Sequence, residues 1–264
     1  LQMPKLNAVA VVPAYHQHQL LAILLLGQKH DGSRFEQEEL DFFSALASDV
    51  AMAIRNAQLF DELKHEADRN RNLFIQTTIA LGSAIEAKDA YTHGHTERVT
   101  KYALAIARQM EVSGLYQFPP KFFENIYIAG LLHDIGKIGV SEAILCKQDK
   151  LTEEEYDIMK THTTRGAEIL SPLTGFDEVI NGVKYHHERY DGKGYPSGLK
   201  GEEIPIIAAI IAVADTFDAI TTDRSYRKGL SKEIAIEEII RFSSKQFNPK
   251  PVQAIVELYN KGEL

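Results

Sequence analysis

Residues 128–137 read Ile-Ala-Gly-Leu-Leu-His-Asp-Ile-Gly-Lys. A strongly apolar helical stretch, residues 128–132, runs straight into the adjacent pair His133-Asp134. A carboxylate with such flanks is costly to bury unless an arginine, a set of hydrogen-bond donors or a metal ion offsets its charge. Asp215 poses the same problem inside the apolar run 208–214, with Phe217 just beyond it. His186-His187-Glu188 sets two imidazoles side by side. Adjacent helical residues point about 100° apart, so this pair is expected to serve two different ions in one pocket. His162, near the end of a helix opening after Thr152, offers another imidazole. Four His and two Asp supplied from four helices suit a two-metal centre in a helical bundle. A carboxylate such as Asp134 can bridge two ions, which an imidazole nitrogen cannot. Mixed nitrogen and oxygen donors without thiolate point to Fe, Mn, Ni or Zn rather than Ca or Mg.

Two ions roughly 3.5–4 Å apart would bind phosphate oxygens, acidify a bridging water and neutralise charge in the transition state. No protein nucleophile is then required. Neither Cys146 nor any serine shows a sequence partner that would make it one.

The chain around this region reads as helix after helix from Leu73 onward. Phe74, Thr78, Leu81 and Ile85 form one stripe, and Val99, Ala103, Ile106 and Ala107 another. Thr152 with Glu155 is a capping box, expected to open a helix running toward Leu170. A Gly-rich loop spans 190–201, Pro205 suits a helix first turn, and 206–220 is apolar nearly all round and should be buried. Ser231 can cap a further helix, and 249–258 reads as the last.

The N-terminal part differs. Residues 8–12 and 20–26 read as strands, with Pro13 and the polar stretch 15–19 as the loop between them. A helix with acids in its first turn begins near Gln37, with Leu40, Phe43, Leu46, Ala47, Val50, Ala51 and Ile54 as its apolar stripe. It leads into a charged stretch, 61–71, expected to be a connecting helix.

The chain has 264 residues, 44% hydrophobic and 25% charged, as in soluble globular proteins. The net charge of −8 argues against a DNA or RNA polymer as partner. It leaves room for a small anionic substrate, because bound divalent ions reverse the local field. The single cysteine excludes an internal disulfide and favours the cytoplasm. No apolar run reaches the ~18 residues of a membrane span.

The ordered motifs resemble a known family. His133-Asp134-Ile135-Gly136-Lys137 resembles the signature of the HD superfamily of metal-dependent phosphohydrolases. His186-His187-Glu188 followed by Asp191-Gly192-Lys193-Gly194-Tyr195-Pro196 resembles its GYP extension. The flanking segments 91–99, 214–219 and 224–227 fit the same HD-GYP pattern, so the resemblance spans roughly 73–258.

It implies a mainly α fold, an HD-type helical bundle, and a phosphodiesterase acting on cyclic di-GMP to give linear pGpG and, in some members, GMP. It implies two metal ions, Fe or Mn, held by His133, Asp134, His162, His186, His187 and Asp215, with Asp134 bridging. It implies Lys137 near the scissile phosphate, Arg224 and Arg227 as phosphate contacts, and Gly194 and Tyr195 in the loop approaching the substrate. Some members hold a third metal with a Glu four residues before the histidine matching His95. Here that position is Tyr91, with His93 nearby, so His95 alone remains of that site and two metals are expected.

The N-terminal segment, with Ala53-Ile54-Arg55-Asn56-Ala57 in its helix, resembles the last strands and closing helix of a GAF sensory domain. The expected organisation is a partial GAF-like part at 1–60, a helical linker at 61–72 and the phosphodiesterase domain at 73–264. A homodimer through the helix 43–71 is a further expectation. The competing readings are a receptor that keeps the pocket without turnover and an HD hydrolase of another nucleotide. The intact HD and Gly-Tyr-Pro motifs speak against both.

Overall fold

The computed structural model describes residues 7–16, 18–88, 94–147, 149–223 and 228–264. Tyr91, His93, Arg224 and Arg227 lie outside the described residues. Contacts divide the chain into two units, Leu1–Leu73 and Phe74–Leu264.

In the first unit, β1 (Ala8–His16) and β2 (Gln19–Gly27) pair antiparallel. Both are longer than expected. Pro13, assigned to the loop by its lack of an N–H, lies inside β1 opposite Ile23. A two-stranded sheet consists of edges, and an edge tolerates Pro because its missing donor can face outward. The helix α1 (Gln37–Lys88) lays Ala47 and Ala51 on the sheet, with Val12, Ala14 and Leu26 beneath them. Leu46 and Val50, expected on the same buried stripe, are exposed, because two strands make too narrow a surface to cover them. The expected closing helix and connecting helix are one continuous α1.

The second unit is helical. The last turns of α1 bury Thr78, Gly82 and Ile85, while Leu81, expected in that stripe, stays 49% exposed. The contact face is centred on the small Gly82, which turns Leu81 to its flank. There follow α2 (His95–Val112), α3 (Phe122–Leu132), a 3₁₀ turn (Ile135–Gly139) and α4 (Glu142–Leu145). Next come α5 (Glu153–Lys160), α6 (His162–Leu170), α7 (Asp177–Tyr185) and α8 (Ile206–Thr221). The unit ends with α9 (Lys232–Arg241) and α10 (Pro249–Asn260).

The expected burial of α8 is observed: Ile207, Ile210, Ile211, Val213 and Phe217 are all enclosed. It packs on α2, α7 and α9. Each large aliphatic or aromatic side chain buried there stabilises the fold by about 1.5–3 kcal/mol. The capping box at Thr152 forms as expected, with the Glu155 carboxylate accepting from the Thr152 N–H.

The single helix expected from Thr152 toward Leu170 is broken at Thr161. The Thr161 N–H and hydroxyl both donate to the Ile158 carbonyl, tightening the end of α5. The break matters, because it turns His162 inward at the start of α6. No helix among the described residues is long and apolar enough to cross a membrane.

Candidate metal centre

Three helix C-termini converge on one place, and each delivers a histidine by the same device. His133 follows α3, His162 follows the end of α5 and His186 follows α7. In each case Nδ1 lies 2.7–2.8 Å from the carbonyl three residues earlier: Gly130, Met159 and Val183. Those carbonyls lie at helix ends, where the ladder leaves acceptors unfilled. A carbonyl only accepts, so each Nδ1 carries the hydrogen and the Nε2 of each ring is left to face the site. The same helix ends concentrate partial negative charge, which favours a cation.

The consequence is visible in the distances. The Nε2 atoms of His162 and His186 face each other at 3.4 Å. Two lone pairs at that distance repel unless a cation is shared between them. The Nε2 of His133 is buried with no hydrogen-bond partner, a costly state for a polar atom unless something coordinates it.

Asp134 stands between these rings. Its Oδ1 is 3.5 Å from His162 Nε2, and its Oδ2 is 3.4 Å from His133 Nε2 and 2.8 Å from Lys137 Nζ. Two groups emerge, each with ligand atoms mutually within 4.8 Å: His162, His186 and His187, and His95, His133 and Asp134. Asp215 joins the second through His95, whose Nε2 lies 3.3 Å from Asp215 Oδ1.

All the expected metal positions are therefore brought together, with His95 among them. The expectation that His186 and His187 point to different ions is not what the structure favours. Their ring centroids are 4.1 Å apart, and both rings lie with His162 in one group. The chain leaves α7 at Tyr185, so the helical 100° rule no longer governs the pair.

Charge is distributed to suit a cation. Burial holds His162 below its ordinary value, and burial with the neighbouring imidazoles holds His186 well below it. Burial lowers His187 to about 4. Burial disfavours charge on Asp134, but Lys137 and the surrounding imidazoles outweigh it and keep the carboxylate well below its usual range. Burial likewise opposes charge on Asp215, and the His95 hydrogen bond overrides it. Neutral imidazoles and ionised carboxylates are the forms that ligate, so the donor set fits a metal ion.

His95 is held differently. Its Nδ1 lies 2.7 Å from Asp218 Oδ2, and Arg98 grips the same carboxylate with Nε at 2.6 Å and Nη2 at 3.1 Å. Burial opposes charge on His95, but Asp215 and Asp218 raise it to about 10. A carboxylate behind a histidine orients the ring and strengthens it as a ligand. Neither Asp218 nor Arg98 is predicted from the sequence as a functional residue. The available signal is a second buried acid three residues after Asp215 on the same helix face.

Two glycines allow the approach of these elements. A Cβ on Gly136 would stand 1.8 Å from the His162 carbonyl oxygen and 2.6 Å from the Gly166 nitrogen. The turn carrying Asp134 and Lys137 thus touches α6 backbone to backbone. Gly136→Ala should force them apart, costing at least about 2 kcal/mol and weakening metal retention. Thermal melts and metal analysis check this, and unchanged values in both would refute the contact. A Cβ on Gly194 would meet the Arg189 nitrogen at 2.3 Å and Glu188 Cα at 2.5 Å.

The Gly-rich loop closes over a cavity of about 270 Å³ lined by His186, His187, Lys193, Tyr195 and Asp215 among others. The Tyr195 ring lies 4.9 Å from that of His187. The loop is held from inside by Glu188, whose carboxylate accepts from the backbone N–H groups of Ser197, Gly198 and Leu199. The sequence places Glu188 only in the His-His-Glu run; the anchoring role comes from the loop folding back.

The sequence profile described as HD domain matches residues 80–250, and that of the GAF domain matches 1–54. A cyclic di-GMP phosphodiesterase of Thermotoga maritima is 45% identical over 182 residues, 67% of this chain and 47% of the relative. A 3′3′-cGAMP-specific phosphodiesterase of Vibrio cholerae is 42% identical over 60% of this chain and 34% of its own length. A cyclic di-GMP phosphodiesterase of Pseudomonas aeruginosa is 35% identical over 79% and 48%. The chain thus spans about half or less of the length of these relatives. Among solved structures, a cyclic GMP-AMP phosphodiesterase of V. cholerae aligns with a TM-score of 0.54 at 21% identity. It covers 70% of this chain and 48% of the other. That likeness is one of fold.

Proposed function

The chain belongs to the HD domain family, and from that premise we propose that it is a metal-dependent phosphodiesterase hydrolysing cyclic di-GMP to linear pGpG. The observation carrying this reading is the pair of Nε2 atoms of His133 and His162 at the two oxygens of Asp134, with the Nε2 of His186 facing that of His162. His133, Asp134, His162, His186, His187 and Asp215 would hold two ions, Fe or Mn, with Asp134 between them. His95 would serve a third, or support Asp215. When bound, such ions supply Lewis-acid charge to the phosphoryl oxygens and an acidified water.

The chain's own residues do the rest. In the hydrolysis the oxygen of water bonds to phosphorus as one P–O bond breaks, and the departing oxygen takes up a proton. Lys137, beside Asp134, is the group placed to contact the phosphate or give that proton. Tyr195, held against His187 by a loop that Glu188 anchors, offers a face for a guanine. Arg224 and Arg227 remain proposed phosphate contacts, since Arg suits bidentate recognition.

A second substrate, 3′3′-cGAMP, is favoured by the 42% identity to a phosphodiesterase named for it. The deciding assay incubates metal-loaded protein with each cyclic dinucleotide and resolves the products chromatographically. Faster turnover of cyclic di-GMP is expected. A loaded protein that hydrolyses neither compound is inconsistent with the cyclic-dinucleotide phosphodiesterase reading and leaves the receptor or a hydrolase of another nucleotide.

We place the protein in the cytoplasm, in keeping with its lone cysteine. A homodimer through α1 is supported by exposed Leu59, Phe60 and Leu63, 40%, 73% and 64% accessible in a stretch otherwise charged. Phe60→Glu should shift a dimer to monomer in analytical ultracentrifugation; a monomeric parent protein would refute the contact.

A further inference from the structure

We propose that the last turn of α1 positions the reaction site, Glu86 fixing the segment that carries His95 and Lys88 fixing the turn that carries Lys137. The inference rests on the phosphodiesterase reading and assigns work to two residues that touch neither metal ligand nor substrate.

α2 begins at His95 with Gly94 as its N-cap, a residue that has no side chain to cap with. An uncapped helix start leaves N–H groups unsatisfied. Here α1 supplies the acceptor. The Gly94 N–H donates to Glu86 Oε2 at 2.9 Å, and the Thr96 N–H donates to Oε1 at 2.5 Å. One carboxylate thus grips the backbone on both sides of His95, and its charge suits the positive end of α2. Ordinary caps come from the preceding residue; this one comes from another helix.

Lys88 does the converse two residues later. Its ammonium donates to the carbonyl oxygens of Ile138, at 2.9 Å, and Val140, at 2.7 Å. These close the 3₁₀ turn Ile135–Gly139, which opens with Asp134 as its N-cap and carries Lys137. Three-residue turns have poorer hydrogen-bond geometry than an α-helix, so an external cation on their final carbonyls is well placed to set their orientation. Both anchors stand on one turn of one helix, so displacement of that turn moves the His95 and Lys137 segments together. Catalytic geometry is sensitive to such shifts, a misplacement of about 1 Å costing on the order of 10²-fold.

The test compares Lys88→Met, Lys88→Arg and Glu86→Ala with the parent protein, all loaded with Mn. Amide hydrogen exchange, metal content and steady-state kinetics on cyclic di-GMP are measured. Lys88→Met should speed exchange over residues 135–140 and lower kcat about tenfold, with KM within about twofold and metal content unchanged. Lys88→Arg, which keeps two donors, should restore both readouts. Glu86→Ala should speed exchange over 94–98 and weaken metal retention about tenfold, as loss of an outer support does. Variants with parental exchange over these segments would overturn the proposal. So would a kcat loss that Lys88→Arg does not restore, or a fall in melting temperature without change in kcat or metal retention. If the parent turns over no cyclic dinucleotide, the phosphodiesterase reading fails by itself. The exchange and metal arms then still decide the positioning.

Discussion

Asp134→Ala is expected to remove metal and turnover together. The two oxygens of Asp134 face different histidines, His162 on one side and His133 on the other. Removing it leaves the imidazoles with no anion between them, and their lone pairs then repel any arrangement without a cation yet lack the charge to retain one. Bound ions supply several kcal/mol of charge stabilisation to phosphoryl transfer. Since about 1.4 kcal/mol is tenfold in rate, a fall of about 10³–10⁴-fold follows. Elemental analysis and an assay on the same preparation check it. Parental activity in the variant would assign the bridging role elsewhere, and full metal content without activity would make Asp134 a catalytic group rather than a ligand.

Lys137→Ala should separate the two effects. Its ammonium lies 2.8 Å from Asp134 and is only 16% accessible, so it is not the solvated lysine that its position after a helix would suggest. It helps to keep Asp134 ionised, a task that the proposed ions would take over when bound. Metal content should therefore stay at the parental level while kcat falls about 10²-fold, the lower end of what a positioned proton donor contributes. Lys137→Arg keeps the charge with a different reach and a far higher proton affinity. Recovery with Arg would assign Lys137 to phosphate binding, and failure to recover to proton transfer. Kinetics unchanged in Lys137→Ala would remove it from the reaction altogether.

The electrostatics tie these expectations to one design. Burial alone would push protons onto Asp134 and Asp215, and it lowers His162, His186 and His187 as well. The carboxylates stay ionised because partners such as Lys137 and His95 stand beside them, while burial holds His162, His186 and His187 below their ordinary values. A pocket in this state brings anionic oxygens and imidazole nitrogens together. That preference for a divalent ion arises from the packing of α3, α5, α7 and α8 around the site rather than from any single ligand.

Much of this was legible in the residue order. Apolar spacing announced the helices and the burial of α8, because helix periodicity is a local property that needs no knowledge of the fold. An acid flanked by apolar residues, at Asp134 and again at Asp215, announced a compensating charge, because desolvation penalties follow from neighbours in the chain. Adjacent histidines and the His-Asp pair announced candidate ligands by donor chemistry, and the fold brings them together.

What lay beyond reach depended on segments meeting across the fold. Asp218 behind His95, Glu188 inside the Gly-rich loop, and Glu86 and Lys88 at the ends of two other elements each join residues far apart in sequence. Apart from the three-residue spacing of Asp218 from Asp215, no local signal distinguishes those carboxylates and that ammonium from solvated surface charges. The strand placement of Pro13 was decided likewise, by its pairing opposite Ile23. Donor types and periodicities are written residue by residue, whereas distances between remote donors exist only after the backbone has closed on itself.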